Sequence, residues 1–175
     1  MEVIARAYER SDAEALEAAV AASLEHLRPW MAWAAGPPAG VAWRQGWIRD
    51  VRAEEADGGD RYRGFFDART GELLGGGGLH RRIGPRAWEI GYWVRADRVR
   101  RGVATAAVRA LVAEAFADPE VEAVQIHHDD ANAASGGVAR RAGFTDLGTF
   151  AVEPVAPADT GVERRWRLER AGAGG

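Results

Sequence analysis

The 175-residue sequence predicts an α+β fold: a mixed, mostly antiparallel sheet of seven strands with flanking helices. Three observations carry that expectation. Short apolar, β-rich segments bounded by Gly, Asp and Arg outnumber the helical ones. Two of them, Trp88–Val94 and Val121–Ile126, run directly into helix-forming stretches, Ala106–Phe116 and the segment after Asn132. No interior linker is long or polar enough to divide the chain, so residues 1–170 are expected to form one domain, with 171–175 a frayed tail.

The elements follow in order. A strand is expected over 2–8. Ser11-Asp-Ala-Glu14 is a capping-box signal, and Leu16, Val20, Leu24 and Leu27 continue at helical spacing, which predicts a helix over 12–27 ended by Pro29. The segment Gly36-Pro-Pro-Ala-Gly40 separates it from a second helix over 41–55. There Trp43, Trp47, Ile48 and Val51 share one side, and the Trp43/Trp47 pair at i and i+4 reads as core. Strands over 61–67 and 73–81 form a hairpin through Asp67-Ala-Arg-Thr-Gly71. The run Gly75–Gly78 removes side chains from the second of these, to admit either a close approach to that surface or a bulge. Strands over 87–95, 122–128, 144–153 and 162–169 complete the sheet.

Composition narrows the function. A net charge of −3 and a pI near 5.8 give no basic footprint, so nucleic acid is not the expected partner. Cysteine is absent, which excludes disulfides, thiolate metal sites and a cysteine nucleophile. All 23 Lys+Arg residues are arginine. No apolar run approaches the ~18 residues of a membrane helix, and the N-terminus lacks a signal-peptide pattern, so a cytoplasmic protein is expected. Monomer and homodimer both remain open.

The most informative segment is Arg98-Val-Arg-Arg-Gly-Val-Ala-Thr105, a turn between a strand and a helix. Gly102 and the small Ala104 at a helix N-terminus let backbone N–H groups approach an anion, and the helix dipole adds partial positive charge. The segment lacks the Lys-Ser/Thr of an ATP-binding loop and the Gly-x-Gly-x-x-Gly of a dinucleotide fold, so the phosphate belongs to another carrier. A second segment follows, His128-Asp-Asp-Ala-Asn132-Ala-Ala-Ser135 through Gly143-Phe144. Together the two resemble the GNAT superfamily of acyl-CoA-dependent N-acyltransferases, whose phosphate loop reads Arg/Gln-x-x-Gly-x-Gly/Ala. Glu25-His-Leu-Arg-Pro-Trp-Met-Ala-Trp33 and Glu89-Ile-Gly-Tyr-Trp-Val94 resemble its RimJ/RimL branch, the ribosomal-protein N-terminal acetyltransferases and their small-molecule relatives. One departure is plain: Val99 stands at the Arg/Gln position and Arg100 where Gly often follows, leaving side-chain phosphate contact to Arg98, Arg100 or Arg101.

The resemblance implies the GNAT fold, with its fourth and fifth strands splayed to seat the pantetheine arm; the lips here are expected at Tyr92–Arg95 and Gln125–His128. It implies acetyl-CoA as acyl donor, held by Trp93, Val94, Arg95, Val99, Arg100, Arg101, Gly102, Val103, Ala104, Thr105 and Asn132, and a backbone N–H near Val94 for the oxyanion. Direct transfer to a primary amine needs a neutral amine, oxyanion stabilisation and a proton for the leaving thiolate. Ser135 is the candidate acid, against the alternative that Asn132 caps the helix and Ser135 merely occupies its first turn. Glu89 is the candidate base on the acceptor side, against an ordinary ion pair with Arg82 or Arg86. Trp30 and Trp33 are expected to wall the acceptor site, or else to close the interhelical core. His127 and His128, being adjacent on a strand, point to opposite faces and make no joint metal site; no metal is expected, and His127 alone is a possible auxiliary acid or base. The expected acceptor is a peptide or protein N-terminal α-amine, the alternatives being a small-molecule amine (antibiotic or amino acid derivative) or a CoA-binding module without catalysis.

Overall fold

Local sequence places the elements, and the sheet then orders them. The computed structural model describes residues 2–171. Strands β1 (Val3–Arg6), β2 (Arg61–Asp67), β3 (Leu73–His80), β4 (Ala87–Val94), β5 (Ala123–Asp129), β6 (Thr145–Ala151) and β7 (Val162–Glu169) form one seven-stranded sheet in the order β1-β2-β3-β4-β5-β7-β6. Every pairing is antiparallel except β4 with β5. The helices are α1 (Ala13–Ala21), α2 (Leu24–Leu27), α3 (Val41–Ala56), α4 (Val103–Phe116) and α5 (Ala133–Arg141). The tail expected to fray falls on 172–175, outside the described residues, and Ala171 is a turn.

Each face of the sheet carries its own core. On one side Phe65, Leu79, Trp88, Ile90 and Val124 meet Ala107, Val108 and Leu111 of α4 and Val138 and Ala139 of α5. On the other, Leu16, Val20, Leu24 and Leu27 of the first helices and Ile48 of α3 close on Tyr8, Phe66 and Leu73. Strict alternation along β4 sends Trp88 and Ile90 into the first core and leaves Glu89, Gly91 and Trp93 on the second face.

Two expectations about the helices need correction. The continuous helix over 12–27 is broken: a 3-10 turn at Arg10–Asp12 precedes α1, and α2 is offset from it at Ser23. Ser23 leaves helical geometry at φ −114° and ψ 0°, and its buried Oγ accepts the N–H of Ala96 at 3.1 Å. A helical spacing of Leu residues cannot register that tertiary bond, which fastens the helical layer to the end of β4. Trp43 is 53% exposed, whereas Trp47 packs against the core through Tyr8 and Tyr62 at ring distances of 5.7 and 5.4 Å. The buried member on the Trp43 turn is Arg44, whose Nε pairs with Glu17 Oε2 at 2.8 Å while Glu17 Oε1 accepts the N–H of Gly40. That bond takes the role of a helix cap and ties the start of α3 to α1.

The parallel pairing of β4 with β5 extends only over Ala87–Glu89 and Ala123–Gln125. Beyond it the strands part, so the gap runs along Ile90–Val94 and Ile126–Asp129, and Gln125 still belongs to the ladder.

Candidate active site

The gap between β4 and β5 opens into a cleft of about 670 Å³ on the face covered by α1–α3. Its backbone is primed by the ladder on the other side. The N–H of Arg95 donates to Leu74 C=O, and one unbroken register joins β3 to β4. Alternation of antiparallel hydrogen bonds then turns the N–H groups of Glu89, Gly91 and Trp93 toward β3 and those of Ile90, Tyr92 and Val94 toward the gap. Val94 therefore presents its amide to the gap.

At the far lip, Asn132 caps α5: its side chain accepts the Ser135 N–H at 3.2 Å. Ser135 Oγ also lies 2.7 Å from Tyr92 Oη across the gap. Burial pushes the Tyr92 hydroxyl up to about 12, against the Ser135 hydrogen bond and the charge of Arg141, so it stays protonated at neutral pH. A serine hydroxyl backed by a phenol that can resupply its proton suits donation to a leaving thiolate.

On the cleft floor, Glu89 Oε1 is 3.3 Å from Arg82 Nη1 and its Oε2 is 3.8 Å from His127 Nδ1. His127 Nδ1 also lies 3.5 Å from Glu163 Oε1, while its Nε2 donates to Gln125 Oε1 at 2.7 Å. Burial lowers the His127 pKa and Arg165 and Arg82 act with it, outweighing the pull of Glu89 and Glu163. The ring is neutral at pH 7, and with Nε2 as the donor its Nδ1 carries a lone pair. Three acceptor atoms thus converge, and Glu163 Oε1 also accepts the Arg165 Nε–H at 2.7 Å. Glu163, on β7, and the full weight of His127 were missed by sequence reasoning; the only available signal was shared parity, since Glu89, Gln125 and His127 fall on one face once the β4–β5 register is known.

His128 faces the other way. Its Nδ1–H donates to Asp129 C=O and its Nε2 accepts Trp166 Nε1–H at 2.9 Å, a fully satisfied structural histidine. Among the described residues no group of three His, Cys, Asp or Glu side chains is placed to hold a metal ion.

Aromatic rings wall the cleft. Trp33, 51% exposed, meets Trp93 edge-on at 6.1 Å, and half-buried Trp30 lines the same space, so neither closes an interhelical core. The glycine run makes room for this wall: a Cβ on Gly76 would stand 2.2 Å from Tyr8 Oη.

At the outer end of the gap, residues 99–105 lead into α4. Arg100 at φ 57° and Gly102 at φ 83° adopt left-handed geometry, and the first helical bond runs from Ala106 N–H to Gly102 C=O. The N–H groups of 102–105 are left without helical partners. The arginines divide clearly. Arg98 is held by Glu72 at 2.6 Å and Asp97 at 2.8 Å, and Arg95 by Glu72, Asp97 and Leu73 C=O. Arg100 and Arg101 form no ion pair among the described residues. An exposed loop of unpaired amides with two uncommitted guanidinium groups fits a pyrophosphate.

A splayed β4–β5 pair beside a loop of unpaired amides at the start of α4 is the arrangement of an acyl-CoA N-acyltransferase. Residues 2–145 match the acetyltransferase (GNAT) domain family, and the chain belongs to it. It is 32% identical over 145 residues, 82% of this chain and 78% of the other, to a Bacillus subtilis (strain 168) protein named "Putative ribosomal N-acetyltransferase YdaF". Its fold matches RimL, a ribosomal L7/L12 α-N-protein acetyltransferase solved with coenzyme A, at TM-score 0.85 with 20% identity over 97% of this chain and 94% of that one. It matches Mycobacterium smegmatis RimJ, solved with CoA-disulfide, at TM-score 0.85 with 22% identity over 99% and 84%. The chain is an N-acetyltransferase, and acetyl-CoA is its acyl donor.

Proposed function

We propose that this acetyltransferase acts on the α-amino group of a peptide or protein N-terminus. The observation that carries the reading is the convergence of Glu89 Oε2, Glu163 Oε1 and His127 Nδ1, with His127 3.8 and 3.5 Å from the two carboxylates. A primary ammonium has three N–H donors to offer such a triangle. The acceptor pKa favours an α-amine: near ~7.7 to 8.0 it is already about a fifth or more neutral at about pH 7.4, against roughly one part in a thousand for a lysine amine near ~10.4. Exposed Trp33 and half-buried Trp30 at the mouth suit the following peptide residues. The names of YdaF and RimL support the same class of acceptor.

Acetyl-CoA supplies the activated acetyl thioester; the chain supplies positioning and protons. The amides of 102–105 with Arg100 and Arg101 hold the pyrophosphate, helped by the packing of Val99, Val103 and Ala104 and by Thr105. Trp93 and Val94 line the arm's path along β4, with Asn132 opposite, whereas the Arg95 backbone is spent on Leu74 C=O and the Arg98 N–H. The Val94 N–H stabilises the acyl oxygen. Ser135, resupplied by Tyr92, protonates the leaving sulfur. Glu89 receives the ammonium rather than acting alone, its oxygens already shared with Arg82 and His127. The test is mass spectrometry of peptides incubated with acetyl-CoA, each with free or blocked N-terminus and with or without lysine. N-terminal acetylation of the free peptides is expected. Modification confined to lysine side chains, or to small amines, overturns the reading.

A further inference from the structure

One ionisable side chain of the cleft has no task in this scheme. His80, the last residue of β3, is 7% exposed, and its Nδ1–H donates to Asp60 Oδ2 at 2.7 Å. Asp60 Oδ1 accepts the Arg81 N–H at 2.8 Å. Burial alone would raise the Asp60 carboxyl, but the Arg81 amide and His80 hold it below the usual range, so it is the ionised partner. In a neutral imidazole whose Nδ1 proton is committed to a carboxylate, the lone pair lies on Nε2. That atom has no hydrogen-bond partner among the described residues, yet it is not sealed away, and His80 lines the cleft. It stands above Gly91: a Cβ there would be 3.2 Å from Nε2. Gly91 lies between Glu89, on the acceptor floor, and Tyr92, whose partner is Ser135. Glycine at this position keeps open the space between the ring and the strand along which the amine meets the thioester.

Resting on the reading of the cleft as an amine site, we propose that His80 is the proton acceptor for the incoming ammonium, oriented and stabilised as imidazolium by Asp60. The charged and titratable groups around it are Asp60, Tyr62 edge-on at 5.3 Å, Glu89 across the strand pair, Arg81 and Arg82 in the following turn, and Glu54 beyond Tyr62. The ammonium gives one proton to His80 Nε2, directly or through one water, and the freed lone pair forms the C–N bond to the acetyl carbon. As the C–S bond breaks, the thiolate takes the Ser135 proton, and the second amine proton, passed through water, restores the Ser135–Tyr92 pair. His80 then returns its proton to solvent. One proton is released per amide formed, and no redox partner is needed.

The test compares the wild type with His80→Gln and Asp60→Asn in CoA release from about pH 6 to about pH 9.5, using a peptide with a free N-terminus and a panel of small primary amines. Loss of a general base at neutral pH is expected to lower kcat/KM roughly 100-fold in His80→Gln, with the deficit shrinking as pH passes the pKa of the amine itself. Asp60→Asn falls less and in the same direction, and stabilisation by CoA is unchanged in both, which reports an intact fold. A pH profile parallel to the wild type, or a deficit equal at every pH, overturns the proposal. Independently of any acceptor, imidazole nitrogen chemical shifts of the wild type should show His80 as the Nδ1–H tautomer near neutral pH; the Nε2–H tautomer refutes it. Turnover of small amines alone, with the His80 dependence intact, would sink the peptide reading and leave this one standing.

Discussion

In the proposed mechanism the pair Ser135–Tyr92 protonates the leaving group, and single substitutions separate its members. Ser135→Ala should lower kcat by something like 10- to 1000-fold while acetyl-CoA binding is nearly unchanged, since water substitutes poorly for a positioned acid. An unaltered kcat would reduce Ser135 to an occupant of the Asn132 cap. Glu89→Gln should raise the acceptor KM more than it lowers kcat, because it weakens the ammonium triangle and spares the groups that move protons. Steady-state kinetics with a free N-terminal peptide checks both. The same triangle has a pH dependence with a definite sign. His127 is held neutral by burial, so acid must protonate it below its ordinary value. Its Nδ1–H then satisfies Glu89 and Glu163 internally, and the acceptor KM rises as pH falls.

Among the elements, the start of α4 and the α1–α2 break carry the most. A β-branched residue at Gly102 must adopt φ 83°, a left-handed geometry that costs L-residues about 1–2 kcal/mol, or else redirect the loop. Gly102→Val should therefore abolish CoA-induced thermal stabilisation while the apo protein still melts cooperatively; retained stabilisation would mean that the loop path does not hold the phosphates. Ser23 is a different kind of joint. Ser23→Ala strands the Ala96 N–H, and an unsatisfied amide costs about 1–3 kcal/mol, which denaturant unfolding would register.

The molecule as a whole is a bilayer of cores clamped by ion pairs, and ligand and acid act on it in opposite directions. At about a hundredfold excess over Kd, CoA should add ~2.7 kcal/mol, or roughly 5 to 10 °C in Tm for a domain of this size. No shift at millimolar CoA would defeat the phosphate-loop assignment. In acid the carboxylates matter. Asp12, Glu17, Glu55 and Asp60 are all held below their ordinary values; burial opposes this at each, and for Glu55 the leading cause is Arg63. Their contribution is complete above the unfolded values of 3.8 and 4.5 and is lost as pH falls through the lower native ones. Stability should drop steeply below about pH 4, most of all around Arg63, which joins Glu55 of α3 to Glu114 of α4.

Local chemistry alone determined the order of strands and helices along the chain, the two faces of β4, the hairpin at Asp67–Gly71 and the left-handed turn into α4 at Gly102, because alternation, turn residues and helix starts act over a few neighbouring residues. It also set Ser135 and Asn132 at one helix start. Only the tertiary structure decided which groups meet. Ser23 breaks a helix to reach Ala96, 73 residues away. Trp43 turns outward because Arg44 pairs with Glu17 across 27 residues. Glu163 joins Glu89 through His127, and Asp60 orients His80, by strand registers no spacing encodes. Propensity acts along the chain, whereas a site is assembled across it, by pairings whose energies depend on burial that exists only once the sheet has closed.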